Sequence, residues 1–245
     1  MYRVRVQLPL KLSLQYRYLD ILHDALINAW TTAGAPVDWV MGRYARAWTF
    51  APLGTHRKDM NQVHTLVVST ADVELGRILR TLEPAMIAAS RAQTGEVVDF
   101  RSATILPDFD PIVSGTRSLG VLMLSPLAIS HKLGNDGRRW HTDVRETDLS
   151  SAISSRLSRL AGRPIRLTVT PDSFYVRMRP RHSSAIWVKQ SHSTGRPILV
   201  VGMRVPLVLA GEPEDLRWAY YAGVGEQTRM GFGCVGSIEQ GVGRA

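Results

Sequence analysis

Ala222-Gly-Val-Gly-Glu-Gln-Thr-Arg-Met-Gly-Phe-Gly-Cys-Val-Gly236 sets five glycines in fifteen residues. Glycine accepts a positive φ and lets another backbone or a phosphate come close, because it has no Cβ. Successive exposed N–H groups in such a turn make a concavity for anions. Gly223, Gly225, Gly231 and Gly233, with Arg229 among them, therefore read either as a seat for a phosphate chain or as a tight helix-to-strand connection. The nucleotide fingerprints are absent: there is no Gly-x-x-x-x-Gly-Lys-Ser/Thr. A dinucleotide loop would also follow a strand and open a helix, whereas this one follows a helical segment, 213–221, and leads into a strand, 234–238.

Working outward from the loop, Pro213 suits a first helical position, and 198–209 reads as one long apolar strand. Before it, 165–169 and 174–178 read as a hairpin around Pro171-Asp172. Thr147 caps a helix carrying Leu149, Ile153, Leu157 and Leu160, which Gly162 and Pro164 end. The strand 119–124 stops at Ser125-Pro126, and 108–116, punctuated by Pro111 and Gly115, reads as a linker.

The first half has the same outline. Val4, Val6 and Leu8 alternate with Arg3, Arg5 and Gln7 as a half-buried strand. Between 16 and 32, Leu19, Leu22, Leu26 and Trp30 form a helical stripe that Gly34 and Pro36 close. Strands follow at 46–53 and 63–69. Leu75, Ile78, Leu79, Leu82 and Met86 then make a second helical stripe, and 97–106 closes the unit as a strand. The order βαββαβ thus occurs twice. The expected fold is α+β: two tandem ferredoxin-like domains, 1–107 and 117–245, the second carrying insertions and the glycine-rich loop.

Net charge is +9, from 26 Arg and 4 Lys against 21 acidic residues. The planar guanidinium pairs with phosphates and guanine edges and stacks on bases, so an acidic partner, above all nucleic acid, is favoured. The lone Cys234 excludes an internal disulfide and a cysteine-built zinc site. The alternating N-terminal stretch is not an apolar signal core, and no stretch nears the roughly 20 apolar residues of a membrane span. These features fit a soluble cytoplasmic protein with no membrane partner.

The order helix, G-x-G-x(5)-G-x-G, strand near the chain end resembles the C-terminal loop of the CRISPR-associated endoribonucleases that cut precursor CRISPR RNA, members of the repeat-associated (RAMP) superfamily. Arg46-Ala-Trp-Thr-Phe-Ala-Pro-Leu53 resembles that family's strand motif of basic residue, aromatic, Thr, Phe, small residue, Pro, Leu. The resemblance implies tandem ferredoxin-like domains with the catalytic site on the first. It also implies an enzyme, of a type I or type IV system, that binds a CRISPR repeat stem-loop without a cofactor and cuts on the 3′ side of the stem. The 2′-OH would attack the adjacent phosphate, leaving a 2′,3′-cyclic phosphate. The mature guide RNA would stay bound and join other subunits of an effector complex. Two further readings stay open: a non-catalytic RNA-binding subunit of a CRISPR ribonucleoprotein, and a DNA-binding protein of the same fold.

Metal-free RNA cleavage needs a base for the 2′-OH proton, an acid for the 5′-oxygen and donors for the phosphorane. None of the seven histidines pairs at i, i+4, and no carboxylates cluster beside them, so no metal centre is expected. His23, within Leu22-His-Asp-Ala-Leu26, resembles the helix-borne histidine of the family and is the leading acid or base; a buried structural role is its alternative. Tyr16, two turns earlier on the same side, is a further catalytic candidate that orients the RNA or assists proton transfer; the alternative is a packed aromatic at the helix start. Where relatives carry a histidine before the Thr-Phe strand, this chain has Arg43, Tyr44 and Arg46; the guanidiniums of Arg43 and Arg46 suit charge stabilisation, and with Arg17 these two form the fallback site. His56-Arg57-Lys58 is a third option. For RNA grip, the segment 131–141 offers Lys132, Arg138 and Arg139 beside Trp140. Arg177, Arg179, Arg181 and Lys189 surround Phe174, Tyr175 and Trp187, and Arg156, Arg159 and Arg163 make a row on the third helix.

Overall fold

In the first strand Val4 and Val6 enter a core while Arg3, Arg5 and Gln7 take the opposite face, as a period of two requires. That strand is the centre of the first half of the protein. The computed structural model describes residues 1–238 apart from 43, 56–59, 93, 134–136 and 192; at 132, 133 and 138 it describes the backbone alone. The first half runs β1 (Tyr2–Gln7), β2 (Leu14–Tyr16), α1 (Leu19–Thr32), α2 (Val37–Val40), β3 (Trp48–Leu53), β4 (Asn61–Val63), β5 (Thr65–Thr70), α3 (Val73–Leu79), β6 (Ala88–Arg91), β7 (Glu96–Asp99) and β8 (Thr104–Pro107). The second runs β9 (Ser118–Met123), β10 (Ser130–Leu133), β11 (Gly137–Trp140), α4 (Leu149–Ala161), β12 (Leu167–Pro171), α5 (Ser173–Met178), β13 (Ser183–Gln190), β14 (Pro197–Met203), β15 (Leu207–Gly211), α6 (Pro213–Ala222) and β16 (Val235–Ser237).

Two four-stranded antiparallel sheets carry the architecture, in the orders β3-β5-β1-β8 and β12-β15-β9-β16. Counted by position within its own half, each is 2-3-1-4, so the fold is two ferredoxin-like units in tandem. α1 buries Leu19, Leu22, Leu26 and Trp30 against the first sheet, the stripe that the sequence displays. β3 is an edge strand, which is why it tolerates Pro52.

Several local expectations are corrected. Tyr16 is not on the first helix: Leu14–Tyr16 pairs with β4, and the helix starts at Leu19. The stripe at 75–86 is one short helix ending at Leu79 and a separate tight turn that Pro84 opens; a hairpin, β6–β7, follows it. The strand expected at 97–106 splits into β7 and β8 around a turn closed by Ala103 N–H on the Phe100 carbonyl (2.8 Å). Asp148, not Thr147, caps α4 by accepting from Ser151 N. The segment 174–178 is helical because Asp172 caps it through Tyr175 N, while β12 pairs with β15 instead. Pro206 breaks the 198–209 run into β14 and β15, and the basic insertion is a two-stranded hairpin, β10–β11.

The outer face of the first sheet does not meet solvent. Arg3, Ser69 and Thr49 lie opposite one another across β1, β5 and β3, and all three are buried. Each donates to a main-chain carbonyl of the second half: Arg3 to Val235 (2.6 Å) and Tyr220, Ser69 to Tyr221 (2.9 Å), Thr49 to Phe232 (3.2 Å). Two of these carbonyls belong to the last turn of α6, where helical acceptors have no partner of their own and a cation suits the dipole. The guanidinium also lies 3.7 Å over the Tyr220 ring. Arg3→Met keeps the bulk and removes the donors. It is expected to lower the unfolding free energy by about 3 kcal/mol, seen as a lower urea midpoint at unchanged slope.

The halves also interlock from the other direction. Val188 and Val200 of the β13–β14 hairpin, with Phe232, pack into the core around α1.

Candidate functional site

The glycine-rich loop sits where the halves meet. Gly223, Gly225, Gly231 and Gly233 all have positive φ. At Gly233 an added Cβ would stand 1.8 Å from the Val224 carbonyl oxygen, so the strands of the loop touch at a distance that only glycine allows. The loop's donors are turned inward: Gly223 N–H to Ala219 O (3.1 Å), Gly231 N–H to Thr228 O (3.2 Å), Gly233 N–H to Pro126 O (2.8 Å). Those three donors are engaged within the protein, and at Gly233 the loop is a close-packed connection. What it presents outward is the turn 227–230.

That turn forms one wall of a cleft of about 750 Å³ between the halves. His23 from α1, with Val40, Met41, Gly42, Ala45, Arg46 and Ala47 before β3, supply the first half's share. Arg156 and Arg159 from α4, with Glu226, Arg229 and Met230, supply the second's. The arginines divide by task. Arg156 donates to Gly223 O (3.3 Å) and Thr228 Oγ1 (2.7 Å) and so holds the turn; burial lowers its pKa to about 10. Arg46 lies flat on Trp39, 3.3 Å from the ring centre, and pairs with Asp72 at 2.9 Å. Arg229 donates to Gly42 O (2.9 Å), tying the two walls together. Arg229 and Arg159 make no ion pair among the described residues, so the cleft carries positive charge that a bound anion would neutralise.

His23 lines the cleft with its side chain 14% exposed. Its ring stacks on Trp48, with centroids 5.8 Å apart and planes at 15°; its Nδ1 is 3.9 Å from Asp24, which Arg91 already engages at 2.5 Å. Desolvation lowers its pKa from 6.5 to about 4, with Arg229 and Arg91 adding to the fall against Asp24. The imidazole is neutral at neutral pH and can accept a proton. Because the folded pKa is the lower one, this stabilisation is complete above 6.5 and is lost as the pH falls towards about 4. His23→Gln should therefore remove a pH-dependent loss of up to ~3 kcal/mol, read from urea midpoints of both proteins at neutral pH and at about pH 5.

The other candidates scatter. Tyr16 is buried on β2 and lines a neighbouring cavity, so it does not stand beside His23; burial drives its phenol pKa further up. Arg17 is exposed, 5.1 Å over Trp187. Arg43, His56, Arg57 and Lys58 lie outside the described residues, as do the side chains of Lys132 and Arg138. Arg139 lines a surface pocket beside the His131–His141 pair, whose ring centres are 4.6 Å apart. Arg177, Arg179, Arg181 and Lys189 are exposed. Arg163 leaves its row, since Asp215 (2.7 Å) and Glu214 (3.2 Å) take its charge. Glu226, which accepts from Ser130 N and Oγ at 3.0 Å, and Thr228 went unnoticed in the sequence; their place in the glycine loop was the available signal. Among the described residues no three His, Cys, Asp or Glu side chains gather as a metal site, and no helix is long and apolar enough to cross a membrane.

Comparison with known proteins gives the following. The family model described as CRISPR associated protein Cas6, C-terminal, matches residues 110–236. A search of curated proteins finds no match. The product of a Cas6-related gene from Pyrococcus furiosus superposes with a TM-score of 0.70 at 17% identity, over 98% of this chain and 99% of that one. A RAMP protein described as binding different RNA substrates gives 0.66 at 16%, over 97% and 100%. A Cas6 solved as a product complex gives 0.55 at 15%, over 97% and 99%. At these identities the likeness is one of fold.

Proposed function

The chain belongs to the family of CRISPR-associated Cas6 proteins, and on that premise we propose that it binds CRISPR repeat RNA and cuts it by attack of a 2′-OH on the adjacent phosphate. One observation carries the proposal: a neutral histidine from the first half meets, in a single cationic cleft, Arg159 and Arg229 of the second, which make no ion pair among the described residues. The scissile phosphate sits between Arg46, Arg159 and Arg229, whose guanidiniums hold it in line and stabilise the extra charge of the phosphorane. His23 takes the 2′-OH proton. A phosphate in the cleft raises the His23 pKa, because the imidazolium gains an anion as neighbour. The leaving 5′-oxygen, on the opposite side of the phosphorus, takes its proton from water, and the products are a 2′,3′-cyclic phosphate and a 5′-OH.

None of these steps needs a metal ion. The exposed cations on α5, β11 and β13 would track the repeat's stem-loop, and retention of the guide RNA for an effector complex would follow from that grip.

The test is cleavage of the host repeat RNA by purified protein in EDTA, beside the same RNA with one 2′-deoxy nucleotide at the cut. Cutting in EDTA that the deoxy nucleotide abolishes is the expected result. Hairpin binding with no cleavage in any buffer would overturn the enzyme and leave an RNA-holding subunit.

A further inference from the structure

An arginine inside a largely apolar cavity is costly unless something accepts its hydrogen bonds. Arg204, just after β14, stands half-buried against such walls. Its guanidinium makes no ion pair or hydrogen bond among the described residues, and burial lowers its pKa. It lines a cavity of about 320 Å³ under the β13–β14 hairpin, with Tyr16, Leu19, Pro52, Leu124 and Trp187 among the walls. The indole of Trp187 is braced from outside: Tyr18 stacks on it at 5.9 Å, and Arg17 lies 5.1 Å above it. A braced aromatic, apolar walls and one planar donor with no partner among the described residues suit a flat, apolar-faced ligand with acceptors on its edge.

We infer that this cavity takes a single unpaired guanine base of the RNA, with Arg204 donating to its O6 and N7. Guanine offers two adjacent acceptors there and keeps its N1–H and N2–H donors for the opposite edge. Adenine has no adjacent pair of acceptors, the two carbonyls of uracil are not adjacent, and cytosine, which can turn O2 and N3 to the arginine, keeps only its amino group to donate. A free phosphate fits badly, since it would shed its water among apolar walls for one cation. Asn61, whose amide nitrogen donates to Arg17 O (3.3 Å), also lines the cavity and offers its amide oxygen to the base's N–H groups.

The position deepens the proposed function and rests on it. Leu19 lines this cavity and His23 the cationic cleft, one helical turn apart, roughly 6 Å along α1. Gly231 lines the first and Met230 the second. The base held here thus belongs to a nucleotide close to the scissile phosphate, and the cavity selects where the RNA is cut.

Nucleosides test it, because they carry no phosphate for the cationic cleft. Saturation-transfer NMR of the intact protein with guanosine, adenosine, cytidine and uridine is expected to show guanosine binding about tenfold or more tighter than the others. Arg204→Met should abolish that preference. Ser184→Phe, at the exposed rim of the cavity, should block all binding even if the Arg204 variant fails to fold. No guanosine signal, no preference for it, or a preference that persists in both folded variants would overturn the inference. Repeat RNA cleaved by a protein that ignores guanosine would sink the cavity and spare the nuclease; guanosine binding without cleavage would do the reverse.

Discussion

His23→Ala is expected to slow cleavage of the repeat RNA by ~10²–10⁴-fold while hairpin affinity changes little, because proton transfer is lost and the cationic wall is kept. The residue contributes to the core as well, through its stack on Trp48, so the loss must be separated from unfolding. His23→Gln keeps a planar polar side chain in the same space and should be as inactive as His23→Ala, with a far-ultraviolet spectrum like that of the unaltered protein. The pH profile gives an independent check. A base with a pKa of about 4 in the free protein is already deprotonated at neutral pH, so kcat/KM should stay flat from neutral pH down through weakly acid buffer and fall only as that value is approached. A His23→Gln protein that cuts at the original rate would move the chemistry to the arginines.

Gly233→Ala is expected to cost about 4 kcal/mol or more. Its φ of +66° is strained for an L-residue, and the added methyl would stand 1.8 Å from a backbone oxygen that has no room to withdraw. Gly162→Ala is the control: its φ is nearly the same, +65°, but nothing lies within 4 Å of the added Cβ, so it should cost only the strain, about 1 kcal/mol. Urea unfolding of the two variants separates conformational strain from close approach. Equal losses would mean that the loop is not packed as tightly as its geometry says.

The contrast shows what the sequence could and could not tell. The tandem fold was legible because hydrophobic periodicity and Gly/Pro punctuation repeat in both halves. Inside each half, the errors fall where a long-range pairing overrode a local pattern. Tyr16 continues the helical stripe in sequence, yet β4 draws it into a strand. The four loop glycines were visible, but the same composition serves an anion or a close-packed backbone, and only the direction of the N–H groups separates the two. His23 could be named from a resemblance; its neutrality depends on Trp48 and on arginines far away in sequence. Arg204 was invisible for a plainer reason. It falls inside an apolar run, where one charge reads as the exposed position of a strand, and only the break at Pro206 turns it into a cavity.

The row Arg3, Ser69 and Thr49 bears on when the cleft comes into being. A ribosome that has finished β8 has made His23 and Arg46, but it has not made the carbonyls that this row must bind or the arginines of the opposite wall. Until residues 220–235 emerge, three buried-to-be donors face water and the nascent chain has half a cleft. Synthesis order thus leaves the cleft, the cutting site of the function proposed above, incomplete until residues 220–235 are made.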